Sequence, residues 1–279
     1  MYFLNINKPK GITSFDVIRE LRKRLKVRQI GHSGTLDPLA SGVMQIAVGG
    51  ATRLLDYLDS DKEYIADIVF GYVTDTFDSE GELQFVKEPN FTFDELLLCL
   101  KGFLGLSMQI PPKYSAIKLN GKKLCDIARL GCDIDIEVHK REIEIYSIEL
   151  LEFDGSCAKI KVFCKKGTYI RSLVNDIGKK LGCGAYMSNL IRTKAGNFKI
   201  ENANDLDSDF VQLNPVDVLN LNKIELNEIQ YARIKNGNYI NCKVSCDDGL
   251  VLLTKDNKLV SIANLSDNLI KPKKIFKGE

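Results

Sequence analysis

Apolar residues fall at two distinct periods along this chain, and each switch between them marks an element. Val17, Ile18, Leu21 and Leu25 recur at helical spacing behind Thr13 and Asp16, a capping-box pair, which predicts a helix there. The same period returns with Ile170, Val174, Ile177 and Leu181, stopped by Gly182, and less regularly from Phe93 to Leu106, where Gly102 and Gly105 interrupt it. Period two governs residues 62–71, where Tyr64, Ala66, Ile68 and Phe70 share a face, and residues 158–164, where Ala158, Ile160, Val162 and Cys164 alternate with Lys159 and Lys161. Residues 143–151 read as a further strand. Val43 to Val48 is a continuous apolar run bounded by glycines, the mark of a buried strand; beyond it Thr52 is expected to cap a helix carrying Leu54, Leu55 and Leu58.

Between the first helix and the buried strand lies GHSGTLDPLASG, residues 31–42, whose small residues predict a loop that backbone or ligand approaches closely. Its single carboxylate, Asp37, precedes Pro38 and is thereby pushed toward an extended conformation. Taken alone, an Asp before Pro is an ordinary turn residue. Upstream, Lys8 and Lys10 flank a turn at Pro9 and Gly11, and the outer face of the first helix carries Arg19, Arg22, Lys23 and Arg24, either a solvated face or a phosphate contact. Arg171 stands in the first turn of a helix, where a cation opposes the helix dipole, a hint that it has another task. Residues 74–81, TDTFDSEG, lack calcium-loop spacing and read as a polar connection. A polar stretch ends before Pro215, and the remainder, with turn signals at Asn236, Gly237 and residues 247–249, reads as a small β-rich unit with a basic end at Lys271, Lys273, Lys274 and Lys277.

Composition changes this picture in three respects. The net charge of +2 means that any nucleic-acid footprint must come from local clustering. The eight cysteines form no CxxC pair and have only His32 and His139 as imidazole partners, so reduced thiols and no metal site are expected. No apolar run approaches membrane-spanning length, which leaves a cytoplasmic chain as the expectation.

Several ordered strings resemble one family. His32, Gly34, Thr35, Leu36, Asp37, Pro38, Ala40, Gly42 and Val43, then Gly49, Ala51, Thr52 and Arg53, resemble the signature of the TruB family of tRNA pseudouridine synthases. Lys8, Pro9, Gly11, Thr13 and Ser14 match its KPxGxTS element, with Asn7 where Asp is common; residues 109–131 match its QxPPxxSAxKxxGxxLYxxAR segment, with Cys125 in place of Tyr. GTYIRS at residues 167–172 and LIRTKAGNF at residues 190–198 complete the set.

The resemblance implies an α+β pseudouridine synthase fold, with a mixed, largely antiparallel sheet, flanking helices and a central RNA-binding cleft. It implies a catalytic domain over residues 1–213, a thumb-like insertion at about residues 108–132, and a small PUA-like domain over residues 214–279. By the same resemblance Asp37 is the nucleophile, Tyr64 stacks on the target base, Arg171 pairs with Asp37, Leu190 lines the pocket, and His32 fills the space that the flipped base leaves. Lys8, Lys10, Arg53, Lys113 and Lys118 are candidates for the RNA backbone. An Arg close to a buried carboxylate opposes the rise in its pKa, which would keep Asp37 ionised. The implied reaction turns the T-loop uridine at tRNA position 55 into pseudouridine, with no cofactor, by a monomer that needs no obligatory protein partner. The competing readings are a tRNA-folding chaperone using the same cleft without chemistry and a glycosidase-like hydrolase; a guide-dependent synthase of the archaeal and eukaryotic kind is a closer relative.

Overall fold

A computed structural model of the chain describes residues 1–115, 118–119, 122–123, 139–243 and 245–276. Its centre is a sheet built from β1 (Tyr2–Lys8), β2 (Ile30–Ser33), β3 (Ser41–Val48), β4 (Lys62–Phe70), β5 (Gly105–Gln109), β6 (Arg141–Phe153), β7 (Cys157–Cys164) and β8 (Ala185–Ala195). The order across it is β1-β3-β8-β4-β7-β6-β5, with β2 on β3, and β3 beside β8 is the one parallel pair among these strands. The helices α1 (Ser14–Leu25), α2 (Phe93–Lys101) and α3 (Ile170–Leu181) flank it. This is the mixed, largely antiparallel α+β architecture that the family resemblance implies.

The two periodicities survive folding closely. Thr13 and Asp16 form the predicted capping box on α1, and Val17, Ile18 and Leu21 are buried. Burial alternates strictly along β4 and β7, so that Tyr64, Ala66, Ile68 and Phe70 point inward together with Ala158, Ile160 and Val162. Gly182 ends α3 in the left-handed region, φ 76°, as its position required.

Two local expectations are corrected. Of the expected loop at residues 31–42, both ends are strand: residues 31–33 belong to β2, which pairs with β3, and Ser41 and Gly42 begin β3 itself. Residues 49–57 form a 3-10 helix that Thr52 does not cap; its hydroxyl donates to Gly49 O at 3.0 Å from within the first turn.

Behind the sheet a second unit comprises α4 (Pro215–Val218), α5 (Glu228–Lys235) and a five-stranded sheet within residues 222–275. An apolar cluster joins it to the first: Phe3, Val43 and Leu54 pack with Val216, Leu252, Ile262 and Phe276. Of the expected thumb-like insertion, residues up to Ser115 are described, together with the short strands Lys118–Leu119 and Lys122–Lys123; Cys125 and the rest of it lie outside the described residues, as does Lys277.

Candidate active site

Asp37 is presented by a turn in which Ala40 N donates to Asp37 O at 3.1 Å. Both flanks of this turn are clamped. On one side Ser14 Oγ donates to Leu36 O and accepts from Leu36 N, at 2.9 and 2.8 Å, while Gly11 N donates to Pro38 O at 2.8 Å. Lys8 completes that clamp: fully buried, its ammonium donates to Pro9 O, Ile12 O and Pro38 O at 2.9, 2.7 and 3.3 Å. The expectation that Lys8 meets the RNA backbone is therefore corrected, since no face of it is open to a phosphate. Desolvation holds its pKa down to about 8.

On the other side stands Arg192, also fully buried, donating to Val43 O at 2.7 Å and Gly34 O at 3.2 Å. Gly42 makes this closeness feasible. It sits at φ 109°, and a Cβ there would come within 2.3 Å of Arg192 O.

Asp37 and Arg171 meet, as expected. Arg171 Nε lies 3.0 Å from Asp37 Oδ2, an ion pair by distance although the N–H is not aimed at the oxygen. The rest of the guanidinium is tied down: Nη1 contacts Asp78 Oδ2 at 3.0 Å and Thr76 O at 3.1 Å, and Nη2 donates to Tyr114 O at 3.0 Å. Asp78 is 1% exposed. Sequence reasoning left it in a polar connection, and no periodic signal distinguishes it from Asp75 beside it.

The side chain of Asp37 is 35% accessible, yet protein surrounds it closely enough for desolvation to dominate. Burial raises its pKa; Arg171, Lys8 and Arg192 oppose the rise, and the nearby charge of Asp78 adds to it. The net direction is upward: Arg171 opposes the rise from burial, as expected, and offsets only part of it.

A cleft of about 630 Å³ opens above this pair. Tyr64 and Leu190, 7% and 5% exposed, both line it, with Ser115, Tyr169 and Arg192. Burial drives the Tyr64 phenol up to about 12, so it stays protonated and neutral. The expected aromatic and aliphatic residues thus share one cavity with the carboxylate.

The other candidates lie elsewhere. His32, on β2, is not among the residues lining the cleft; it is half-buried, burial pushes its pKa down, and its Nδ1 is buried without a partner. Arg53 donates to Ile275 O at 3.0 Å and lies over the Phe276 ring at 4.9 Å, so it ties the second unit to the first. Lys10 and Lys113 are exposed, with Lys10 Nζ 3.4 Å from Asn189 Oδ1. Lys118 is described only as part of its short strand.

Comparison with known proteins places this geometry in context. Residues 22–170 match the model of the N-terminal domain of the TruB family pseudouridylate synthases, and residues 171–217 that of the tRNA pseudouridylate synthase B C-terminal domain. A protein named tRNA pseudouridine synthase B from Clostridium acetobutylicum is 42% identical, covering 94% of this chain and 91% of its own. Its namesake from Carboxydothermus hydrogenoformans is 39% identical over 99% and 98%, respectively. Among solved structures, the crystal structure of a Cbf5-Nop10-Gar1 complex superposes with a TM-score of 0.73 at 25% identity, covering 99% of this chain and 85% of that one.

Proposed function

The chain belongs to the TruB family of tRNA pseudouridine synthases, isomerases that rearrange uridine in tRNA, and on that premise we propose that it acts on the T-loop uridine at position 55, with Asp37 as nucleophile and the base extruded from its stack. The observation that carries this reading is the convergence of the Asp37 carboxylate, its guanidinium partner, an aromatic ring and an aliphatic floor on one cleft.

A base stacked inside a folded loop is out of reach, so it must leave its stack, at a cost of about a few kcal/mol. Tyr64 returns part of that cost, since stacking on an aromatic ring contributes about 1–3 kcal/mol per base. Asp37 then adds as nucleophile, the bond between uracil N1 and ribose C1′ breaks, the ring turns, C5 bonds to C1′, the bond to Asp37 breaks to return the free carboxylate, and the C5 hydrogen leaves as a proton. Uracil itself accepts the departing electron pair, which is why an unaided acid suffices for the chemistry. His32, neutral and outside the cleft, is assigned to the RNA around it, filling the place of the extruded base. The five-stranded unit is read as the PUA-like domain, tethered through Arg53 and Phe276.

The test is an unmodified tRNA transcript incubated with the purified chain and mapped for pseudouridine. The expected product is pseudouridine at position 55, abolished in Asp37→Asn while tRNA binding persists. Free uracil would point to a hydrolase, and an unchanged tRNA-folding effect without product would point to a chaperone.

A further inference from the structure

The cleft that holds Asp37 is also lined by three cations that the isomerisation does not use, Lys62, Arg141 and Lys166. Arg171, which lines it too, is committed to Asp37 and Asp78, and Arg192 spends Nε and Nη2 on the carbonyls of Val43 and Gly34, its Nη1 being buried without a partner. Lys62 is 8% exposed, and its ammonium donates to Ser60 O at 2.8 Å. Arg141 lays its guanidinium over the Tyr169 ring at 5.1 Å, leaving a buried Nε without a partner. Lys166 is exposed beside Gly167, where a Cβ would approach Arg141 Nη1 to 3.6 Å. Among the described residues none of the three has a carboxylate within 4.0 Å, although Asp56 also lines the cleft.

A buried ammonium with no carboxylate within 4.0 Å is unfavourable; the charge of Asp61 offsets only part of the desolvation, which holds the pKa of Lys62 down to about 8. Uracil is neutral and would relieve little of this. A phosphodiester carries a full charge, with oxygens that match a stacked guanidinium edge. Lys62 and Tyr64 point to the same face of β4, two residues and about 7 Å apart, so a base on Tyr64 brings its own backbone to Lys62.

We propose that Lys62, Arg141 and Lys166 form a phosphate-binding wall that grips the RNA backbone next to the extruded nucleotide. This rests on the cleft being the uridine site.

The test is a thermodynamic cycle. Stem-loop RNAs carrying a single neutral methylphosphonate linkage, on the 5′ side of the target uridine, on its 3′ side or in the distal stem, are compared with natural RNA for the wild type, Lys62→Met, Lys62→Arg and Arg141→Gln. Both Kd and kcat/KM are measured. One of the two flanking linkages is expected to lower wild-type kcat/KM about tenfold, and Lys62→Met and Arg141→Gln to do about the same on natural RNA, with Lys62→Arg restored. Combining variant and linkage should cost no more than either alone, because both remove one contact. Losses that multiply at every linkage, or full activity in both neutral variants, would overturn the wall. A wild type that binds the stem-loop without isomerising it refutes the assigned activity, while the cycle on Kd still decides on the wall.

Discussion

The position of Arg171 depends on Asp78, and Asp78→Asn isolates that dependence. The carboxylate is 1% exposed; one oxygen meets Nη1 at 3.0 Å while the other accepts from Thr76 Oγ1 and Glu80 N, so an amide, with a single acceptor oxygen, removes the charge and sets an NH2 against one of these donors at constant shape. A charged hydrogen bond contributes about 1.5–3 kcal/mol. Loss of roughly half of that from folding, together with a less well-paired buried guanidinium, gives a destabilisation of about 2 kcal/mol, read as a melting-temperature drop of about 4–8 °C. In turnover the same loss acts through a looser Arg171, and kcat/KM should fall about 10- to 100-fold, chiefly in kcat. The pH profile supplies a second, independent sign. Asp78 raises the pKa of Asp37, so removing its charge lowers that pKa, and the acid limb of kcat/KM should move to lower pH even as the rate falls. Tritium release from a transcript carrying 5-tritiated uridine reads both quantities, since the C5 hydrogen leaves on isomerisation. An unchanged kcat/KM, or an acid limb displaced upward, would refute the role given to Asp78.

Lys8→Met should displace the acid limb the opposite way, to higher pH, because Lys8 lowers the pKa of Asp37; the same tritium assay measures it. Lys62→Met should stabilise the fold while impairing it as an enzyme. The folded pKa of Lys62 is about 8 against 10.5, so burying its charge costs about 3 kcal/mol at pH 7, and the lost bond to Ser60 O offsets about 1 kcal/mol of the gain. Because the folded pKa is depressed, the penalty in the wild type fades as pH rises through 8 toward 10.5, so the difference between variant and wild type, followed by thermal melts, should be largest below pH 8 and shrink above it. Gly42→Ala places a methyl against Arg192 O at φ 109° and should lower stability by about 2–4 kcal/mol in a denaturant titration, with a parallel loss of activity.

Much of the framework was legible because hydrophobic alternation and helical spacing are local signals: the β4 face from Tyr64 to Phe70 and the capping box at Thr13 follow from neighbours within a few residues. The pairing of Asp37 with Arg171 was legible only through resemblance, since the two lie on different elements far apart in the chain. Lys8 misled for a physical reason. A lysine in a turn ordinarily reaches water, and nothing in its neighbours announces that backbone carbonyls from two turns will enclose it. Arg192 and Asp78 were missed for the same cause: a buried charge is identified by its distant partners, and sequence spacing carries no record of them. Thr52 shows the limit of capping rules, which place a hydroxyl at a helix start but do not tell whether the turn that follows is 3-10.

One guanidinium touches groups from three stretches of chain outside its own helix: the Asp37 turn, the Thr76–Asp78 connection and Tyr114 at the threshold of the insertion. Arg171 therefore acts as an assembly check. Local unfolding of any one of those stretches removes a ligand from the group that steadies the reactive acid, so partly folded molecules turn over slowly, and measured turnover is weighted toward fully built ones.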